Sequence, residues 1–216
     1  MKFQRVGVFD SGRGGEIMTD YLSQEFPAVE FVFRDDQANA PYGEKSPEQI
    51  YQLAVNMVNK LVAEKVEAIV VACHTISSTC FPEVEVVSPV PLLSVNEALL
   101  ADLLTEPISN RIGLLATTAT VRTNWFPQQL EKFNPEAQVY SVACPGLATA
   151  IDAKDEGWID QLLDECLGQL PLSGIDTLAL ACTHYPVVKQ EISRKIPSQI
   201  QILDAQRKIA EKMRHL

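Results

Sequence analysis

The sequence predicts an α/β protein made of two related lobes with largely parallel sheets. Three observations predict it. Short apolar runs alternate with stretches of helical spacing, as in βαβ units. Several of the apolar runs show no in/out alternation, as strands covered on both faces do not. The strand patterns of the first half also recur, in order, in the second.

The elements follow along the chain. Val6 to Phe9 is a first strand, running into a turn with Gly12, Gly14 and Gly15. Val29 to Phe33 is a second strand, followed by a turn at Pro41-Tyr42-Gly43. Between Ile50 and Val62, the residues Ile50, Leu53, Ala54, Met57, Val58 and Leu61 mark one helix face. Strands are then expected at Ala68 to Ala72, Val90 to Val95, Ile112 to Ala116 and Gln138 to Val142. A helix at Trp158 to Leu170 precedes the last two strands, Thr177 to Ala181 and Ile200 to Leu203.

Two echoes indicate the doubling. Val66-Glu67-Ala68-Ile69-Val70-Val71-Ala72-Cys73-His74-Thr75 is matched by Ile175-Asp176-Thr177-Leu178-Ala179-Leu180-Ala181-Cys182-Thr183-His184, and Val6-Gly7-Val8-Phe9-Asp10-Ser11 by Ile112-Gly113-Leu114-Leu115-Ala116-Thr117. The first repeat ends near Ala101 to Pro107. The lobes are expected as residues 1–95 with 205–216, and 96–204.

Composition narrows the function. Of 216 residues, 46% are hydrophobic and 21% charged, which is globular rather than disordered. Lys and Arg number 18 against 28 Asp and Glu, a formal charge of -10 with no basic cluster, so a nucleic-acid partner is not expected. No apolar run reaches membrane-span length and the start shows no export-signal pattern, so a cytoplasmic protein with no membrane partner is expected. Five dispersed cysteines then read as reduced thiols.

Ligands of open α/β sheets sit beyond the carboxyl ends of the strands. Cys73 and Cys182 each end such a strand. A thiol at a helix N-terminus is expected to have a lowered pKa. Taken alone, either Cys reads first as a small buried core residue. As an equivalent pair, the two can face each other across a cleft between the lobes, one removing a proton from a carbon and the other returning one on the opposite face. That chemistry inverts a stereocentre without a cofactor. The sequence has no phosphate-binding or dinucleotide-binding glycine motif, and the Cys and His spacings do not suit zinc, so no cofactor and no metal are expected. Cys80, Cys144 and Cys166 are assigned to packing.

Asp10-Ser11-Gly12 with Gly14-Gly15, Pro41-Tyr42-Gly43, Ala72-Cys73-His74-Thr75, Ile112-Gly113 through Ala119-Thr120-Val121, Cys144-Pro145, and Ala181-Cys182-Thr183-His184-Tyr185-Pro186 together resemble the glutamate racemases of the aspartate/glutamate racemase superfamily. The resemblance runs from Val6 to about Asp204. It implies a pseudo-symmetric pair of α/β lobes with the active site between them, and a cytoplasmic isomerase that supplies D-glutamate for cell-wall peptidoglycan. Cys73 and Cys182 would be the acid/base thiols, with Asp10 assisting the first and His184 the second. Asp10, Ser11, Pro41, Tyr42, Gly43, His74, Thr75, Thr120, Thr183 and His184 would surround the amino-acid substrate. A homodimer is compatible with the resemblance. Taken singly, Asp10, Ser11 and Thr75 also read as helix caps and His184 as a structural histidine.

The chain departs from the family pattern. His74 stands where the family usually has Asn, and Asp35-Asp36-Gln37-Ala38-Asn39 where it has Gly-Asp-Thr-x-Arg. Asp152 takes the place of a Glu, and Arg13 that of a small apolar residue. The segment after Cys80 is short, and the chain stops near His215 without the family's usual C-terminal extension. These differences leave two rivals open: a racemase for aspartate or another amino acid, and a binding or regulatory homologue that has lost turnover. Retention of both thiols with Asp10 and His184 speaks against the second.

Overall fold

A computed structural model describes residues 3–105 and 110–215. Pro107, the far end of the break expected between the repeats, lies outside the described residues. The chain divides into two compact units, Met1–Ala98 with Gln206–Leu216, and Leu99–Ala205.

The first unit is an open sheet of four parallel strands, β1 (Arg5–Asp10), β2 (Glu30–Asp35), β3 (Ala68–Val71) and β4 (Leu92–Ser94), in the spatial order β2-β1-β3-β4. The helices α1 (Gly14–Glu25), α2 (Pro47–Ala63), α3 (His74–Thr79) and α4 (Phe81–Val87) follow in chain order, and α5 (Val95–Leu103) begins in this unit and ends in the second. The spacing-predicted helix is α2, and it begins earlier than Ile50 because Ser46 and Gln49 form a reciprocal capping box with Pro47 at the first helical position. Its Ile50, Ala54, Met57, Val58 and Leu61 are buried. The strand expected from Val90 to Val95 contracts to three residues, because Ser94 Oγ accepts from Glu97 N at 3.3 Å and the chain turns into α5 at Val95.

The second unit repeats this plan. The strands β5 (Arg111–Ala116), β6 (Gln138–Ala143), β7 (Thr177–Ala181) and β8 (Gln201–Leu203) lie in the order β6-β5-β7-β8, again all parallel. With them go α6 (Thr118–Thr123), α7 (Trp125–Phe133), α8 (Leu147–Ala153), α9 (Glu156–Leu167) and α10 (Lys189–Lys195). The stretch predicted from Trp158 is α9, started by the Asp155 carboxylate, which accepts from Trp158 N at 3.0 Å. A last helix, α11 (Gln206–His215), returns to the first unit and packs on α1 and β4, with Arg214 pairing with Glu25.

The sequence echoes have structural meaning. Glu67, just before β3, accepts from the backbone N–H groups of Gln4 and Arg5 at 2.6 and 3.0 Å and so pins the start of β1. Those two hydrogen bonds hold its carboxyl below the usual range. Asp176, just before β7, does the same to Asn110 and Arg111 at 3.3 and 2.9 Å at the start of β5. The glycines match too. A Cβ at Gly7 would come within 3.0 Å of the end of the Leu61 side chain, and one at Gly113 within 2.9 Å of the end of Ile175, so in each central strand a glycine leaves room for a buried apolar side chain at the matching position.

Cys144 and Cys166 are joined in a disulfide, which corrects the expectation of five reduced thiols. The end of β6 and the last turn of α9 bring the two sulfurs together, a tertiary contact that a separation of 22 residues does not reveal. Both remain buried in the core of the second unit, so their assignment to packing holds in part. Cys73, Cys80 and Cys182 are free and buried.

Candidate active site

In the first unit all four strands deliver polar residues from their carboxyl ends. Asp10 is the last residue of β1 and is 3% exposed. The N-cap of α1 is Arg13, so neither Asp10 nor Ser11 is spent as that helix's cap. Gly15 lets α1 lie close against this strand end: a Cβ there would stand 2.8 Å from Asp10 Cβ and 2.5 Å from Phe33. Cys73 follows β3 and is the N-cap residue of α3, with His74 and Thr75 in the first turn of that helix.

The contacts form a chain. Ser11 Oγ lies 3.3 Å from Asp10 Oδ1 and 3.2 Å from Cys73 Sγ, while Ser11 N donates to Asp10 Oδ1 at 2.6 Å. One hydroxyl therefore bridges the carboxylate and the thiol. When Ser11 donates to Asp10, its oxygen can accept from the Cys73 S–H; when Cys73 is a thiolate, the hydroxyl can turn to it instead.

The expectation of a lowered thiol pKa is overturned at Cys73. Burial pushes this thiol up to about 12, and the negative charge of Asp10 adds to the rise. Hydrogen bonds from Ser11 and from the backbone N–H groups of Ile76 and Ser11 oppose the shift without cancelling it. Burial in the core outweighs the end of a helix only six residues long. Cys73 thus rests as a neutral thiol.

Around Asp36, beyond β2, lies a second cluster. Asn39 Nδ2 donates to both carboxylate oxygens at 2.9 and 3.0 Å, and the Tyr42 hydroxyl donates to Oδ2 at 2.7 Å. Tyr42 is 2% exposed, so its phenol is committed to Asp36, and burial followed by that carboxylate raises its pKa. The Ala40–Pro41 peptide is cis, and Gly43 lies in the same short 3₁₀ turn as Tyr42.

In the second unit, Cys182 and Thr183 follow β7, and the chain passes through His184 into a 3₁₀ turn, Tyr185–Val188, rather than an α-helix. His184 Nδ1 stands 3.9 Å from Cys182 Sγ. Its Nε2 lies 3.3 Å from Asp152 Oδ1 on α8, within ion-pair range but off the line of a hydrogen bond. Thr117, after β5, caps α6 by accepting from Thr120 N at 3.3 Å, and the two threonine hydroxyls meet at 3.1 Å. The Tyr185 hydroxyl, buried, lies 3.3 Å from the carbonyls of both Ala116 and Cys144, tying the ends of β5 and β6 together beneath the thiol.

Each unit therefore gathers its share of the expected residues: Asp10, Ser11, Pro41, Tyr42, Gly43, Cys73, His74 and Thr75 in one, Thr120, Cys182, Thr183 and His184 in the other. Sequence reasoning missed Asn96, a fully buried side chain just beyond β4 that touches His74. The available signal was a polar residue directly after an apolar strand. Asp152 was noticed as a departure but not placed at His184.

One consequence for stability follows from the buried thiols. Cys80 is likewise pushed up to about 12, chiefly by burial and then by Glu83. Below about pH 8.5 a thiol is protonated both folded and unfolded, and its pKa shift has no effect. Above that, the unfolded chain loses the proton while the fold retains it, so stability falls by about 1.4 kcal/mol per pH unit for each such thiol until the folded value is passed. Urea unfolding at pH 8, 9 and 10 should show a shallower alkaline decline in Cys80→Ala than in the parent protein. Parallel declines would remove this account.

Two parallel sheets of one strand order, each with a thiol beyond the carboxyl end of its third strand in sequence, define a doubled α/β protein. Residues 6–213 match the model of the Asp/Glu/Hydantoin racemase family. The glutamate racemase of Pseudomonas paraeruginosa is 35% identical over 96% of this chain and 79% of its own length. The chain is also similar to the glutamate racemase of Geobacter metallireducens, at 30% identity over 95% of this chain and 77% of that protein. Among solved structures, glutamate racemase from Francisella tularensis in complex with D-glutamate has a TM-score of 0.88 at 29% identity, covering 98% of this chain and 80% of that one. The chain belongs to the Asp/Glu/Hydantoin racemase family, and is an isomerase of the racemase type.

Among the described residues no helix is long and apolar enough to cross a membrane.

Proposed function

We propose that this protein interconverts L- and D-glutamate by two-thiol acid/base catalysis, supplying D-glutamate for peptidoglycan. The observation that carries this reading is the pair of buried free thiols, each ending an equivalent strand and each accompanied by its own acid/base partner. The similarity to glutamate racemases over nearly the whole chain supports glutamate as the substrate.

One thiol, drawn from each lobe, acts on each face of the α-carbon. In one direction Cys73 removes the α-proton and Cys182 delivers a proton to the opposite face; in the other the roles exchange. Cys73 rests protonated, ready to act as acid. To act as base it must first shed its proton, and the Ser11 hydroxyl offers a path toward the Asp10 carboxylate. A substrate ammonium brings positive charge that opposes the effect of Asp10 on the thiol. On the other side His184, held between Cys182 and Asp152, exchanges the proton of Cys182. Thr75, Thr120 and Thr183 offer hydroxyl and backbone donors to the carboxylates. No step calls for a cofactor.

The test is circular dichroism of L-glutamate and L-aspartate incubated with the purified protein, without added cofactor. Loss of the glutamate signal to zero, with aspartate unchanged, is the expected result. Racemisation of aspartate in preference, or of neither, would replace this reading with one of its rivals.

A further inference from the structure

We infer that Asn96 is a positioning residue that fixes the tautomer of His74, so that the neutral imidazole presents Nε2 as a hydrogen-bond acceptor to the substrate ammonium. The inference rests on the racemase reading above for the substrate and on the hydrogen bonding alone for the tautomer.

Asn96 is 0% exposed and lies just beyond β4, the strand next to β3. Both ends of its amide reach the same residue. Nδ2 lies 3.4 Å from the His74 carbonyl oxygen, and Oδ1 lies 2.6 Å from His74 Nδ1. A carbonyl can only accept, so the amide nitrogen must be the end that faces it. The reversed amide would set two oxygens against each other. Oδ1 is then the end that faces the ring, and it too can only accept, so Nδ1 must carry the proton. A neutral imidazole has one N–H. With that proton on Nδ1, Nε2 holds the lone pair.

The consequence is specific to a histidine at this position. An Asn, the usual family residue here, presents its amide oxygen without any choice of protonation. An imidazole has two neutral forms, and the one with the proton on Nε2 would point a donor at an ammonium, which has only donors of its own. The amide of Asn96 removes that choice, and its second bond, to the His74 carbonyl, holds the amide itself in the orientation that does so. His74 itself is 5% exposed, directly after Cys73.

The chain has three histidines, so the test is tractable by long-range 1H–15N correlation spectroscopy on protein labelled at histidine, with His74 assigned by its loss in His74→Asn. At pH 8 the His74 Nδ1 should be of the protonated type and Nε2 of the unprotonated type. The opposite pattern overturns the inference whatever the kinetics show. In Asn96→Leu the pattern should change, and KM for glutamate should rise ~10-fold, the size expected for one hydrogen bond to a charged group, with kcat changing much less. In the His74→Asn background the same Asn96→Leu change should leave KM within ~2-fold, because no tautomer remains to be set. Equal losses in both backgrounds would show that Asn96 only supports the fold, and would overturn the positioning role. Asn96→Ser, smaller and still polar, repeats the comparison if the leucine variant does not fold. A wild-type protein with the expected nitrogen pattern and no racemisation of glutamate would overturn the glutamate reading instead, leaving the tautomer established.

Discussion

Cys73→Ala and Cys182→Ala each lose racemisation of glutamate by at least ~10²-fold, while Cys80→Ala keeps it. The size follows from the chemistry. Each turnover needs a proton taken from one face and another given to the opposite face, so neither thiol can stand in for its partner. Cys80 is the internal control, because it is also free, also buried and also raised to about 12, yet its sulfur sits at the junction of α3 and α4, donating to the Ile76 carbonyl, and not at the carboxyl end of a strand. The measurement is the rate of loss of optical activity, alongside exchange of the α-hydrogen with deuterated water. Exchange without inversion in one variant would show a single surviving thiol acting alone on its own face. Full racemisation in either Cys73→Ala or Cys182→Ala would remove the two-thiol mechanism.

Much of this arrangement was legible before any coordinates. All eight strands form, because unbroken apolar runs such as Ala68 to Ala72 have no other stable home than a covered parallel sheet. The doubling was visible because each copy keeps a glycine in its central strand and an acidic residue before its third, and both have structural tasks. The two thiols were visible because they end those strands. What sequence could not supply was long-range pairing. The Cys144–Cys166 disulfide and the Asp152–His184 and His74–Asn96 contacts each join residues that only the fold brings together. The thiol pKa was misjudged for a related reason. A helix N-terminus is read from local sequence, but the burial that overrides it at Cys73 is set by the whole lobe.

Asp10→Asn should slow turnover ~10²-fold or more in the direction that begins with Cys73 as base, and His184→Asn should do the same where Cys182 is the base. Asp10 reaches Cys73 through the Ser11 hydroxyl, and His184 stands beside Cys182. An asparagine at position 10 can still accept a hydrogen bond from Ser11 but cannot store a proton, so the relay loses its end. At equilibrium the Haldane relation ties the two values of kcat/KM together, so both directions must fall equally in that ratio. The asymmetry has to appear in kcat and in isotope effects. In Asp10→Asn the α-deuterium effect should grow for the enantiomer whose proton goes to Cys73. For the other enantiomer, whose product receives its proton from Cys73, the solvent deuterium effect should grow instead. His184→Asn should show the mirror pattern. Ser11→Ala should follow Asp10→Asn and not His184→Asn, since its hydroxyl lies within hydrogen-bonding reach of both the carboxylate and the sulfur. Indistinguishable isotope effects in the Asp10 and His184 variants, in both directions, would mean that the two helpers do not serve separate thiols.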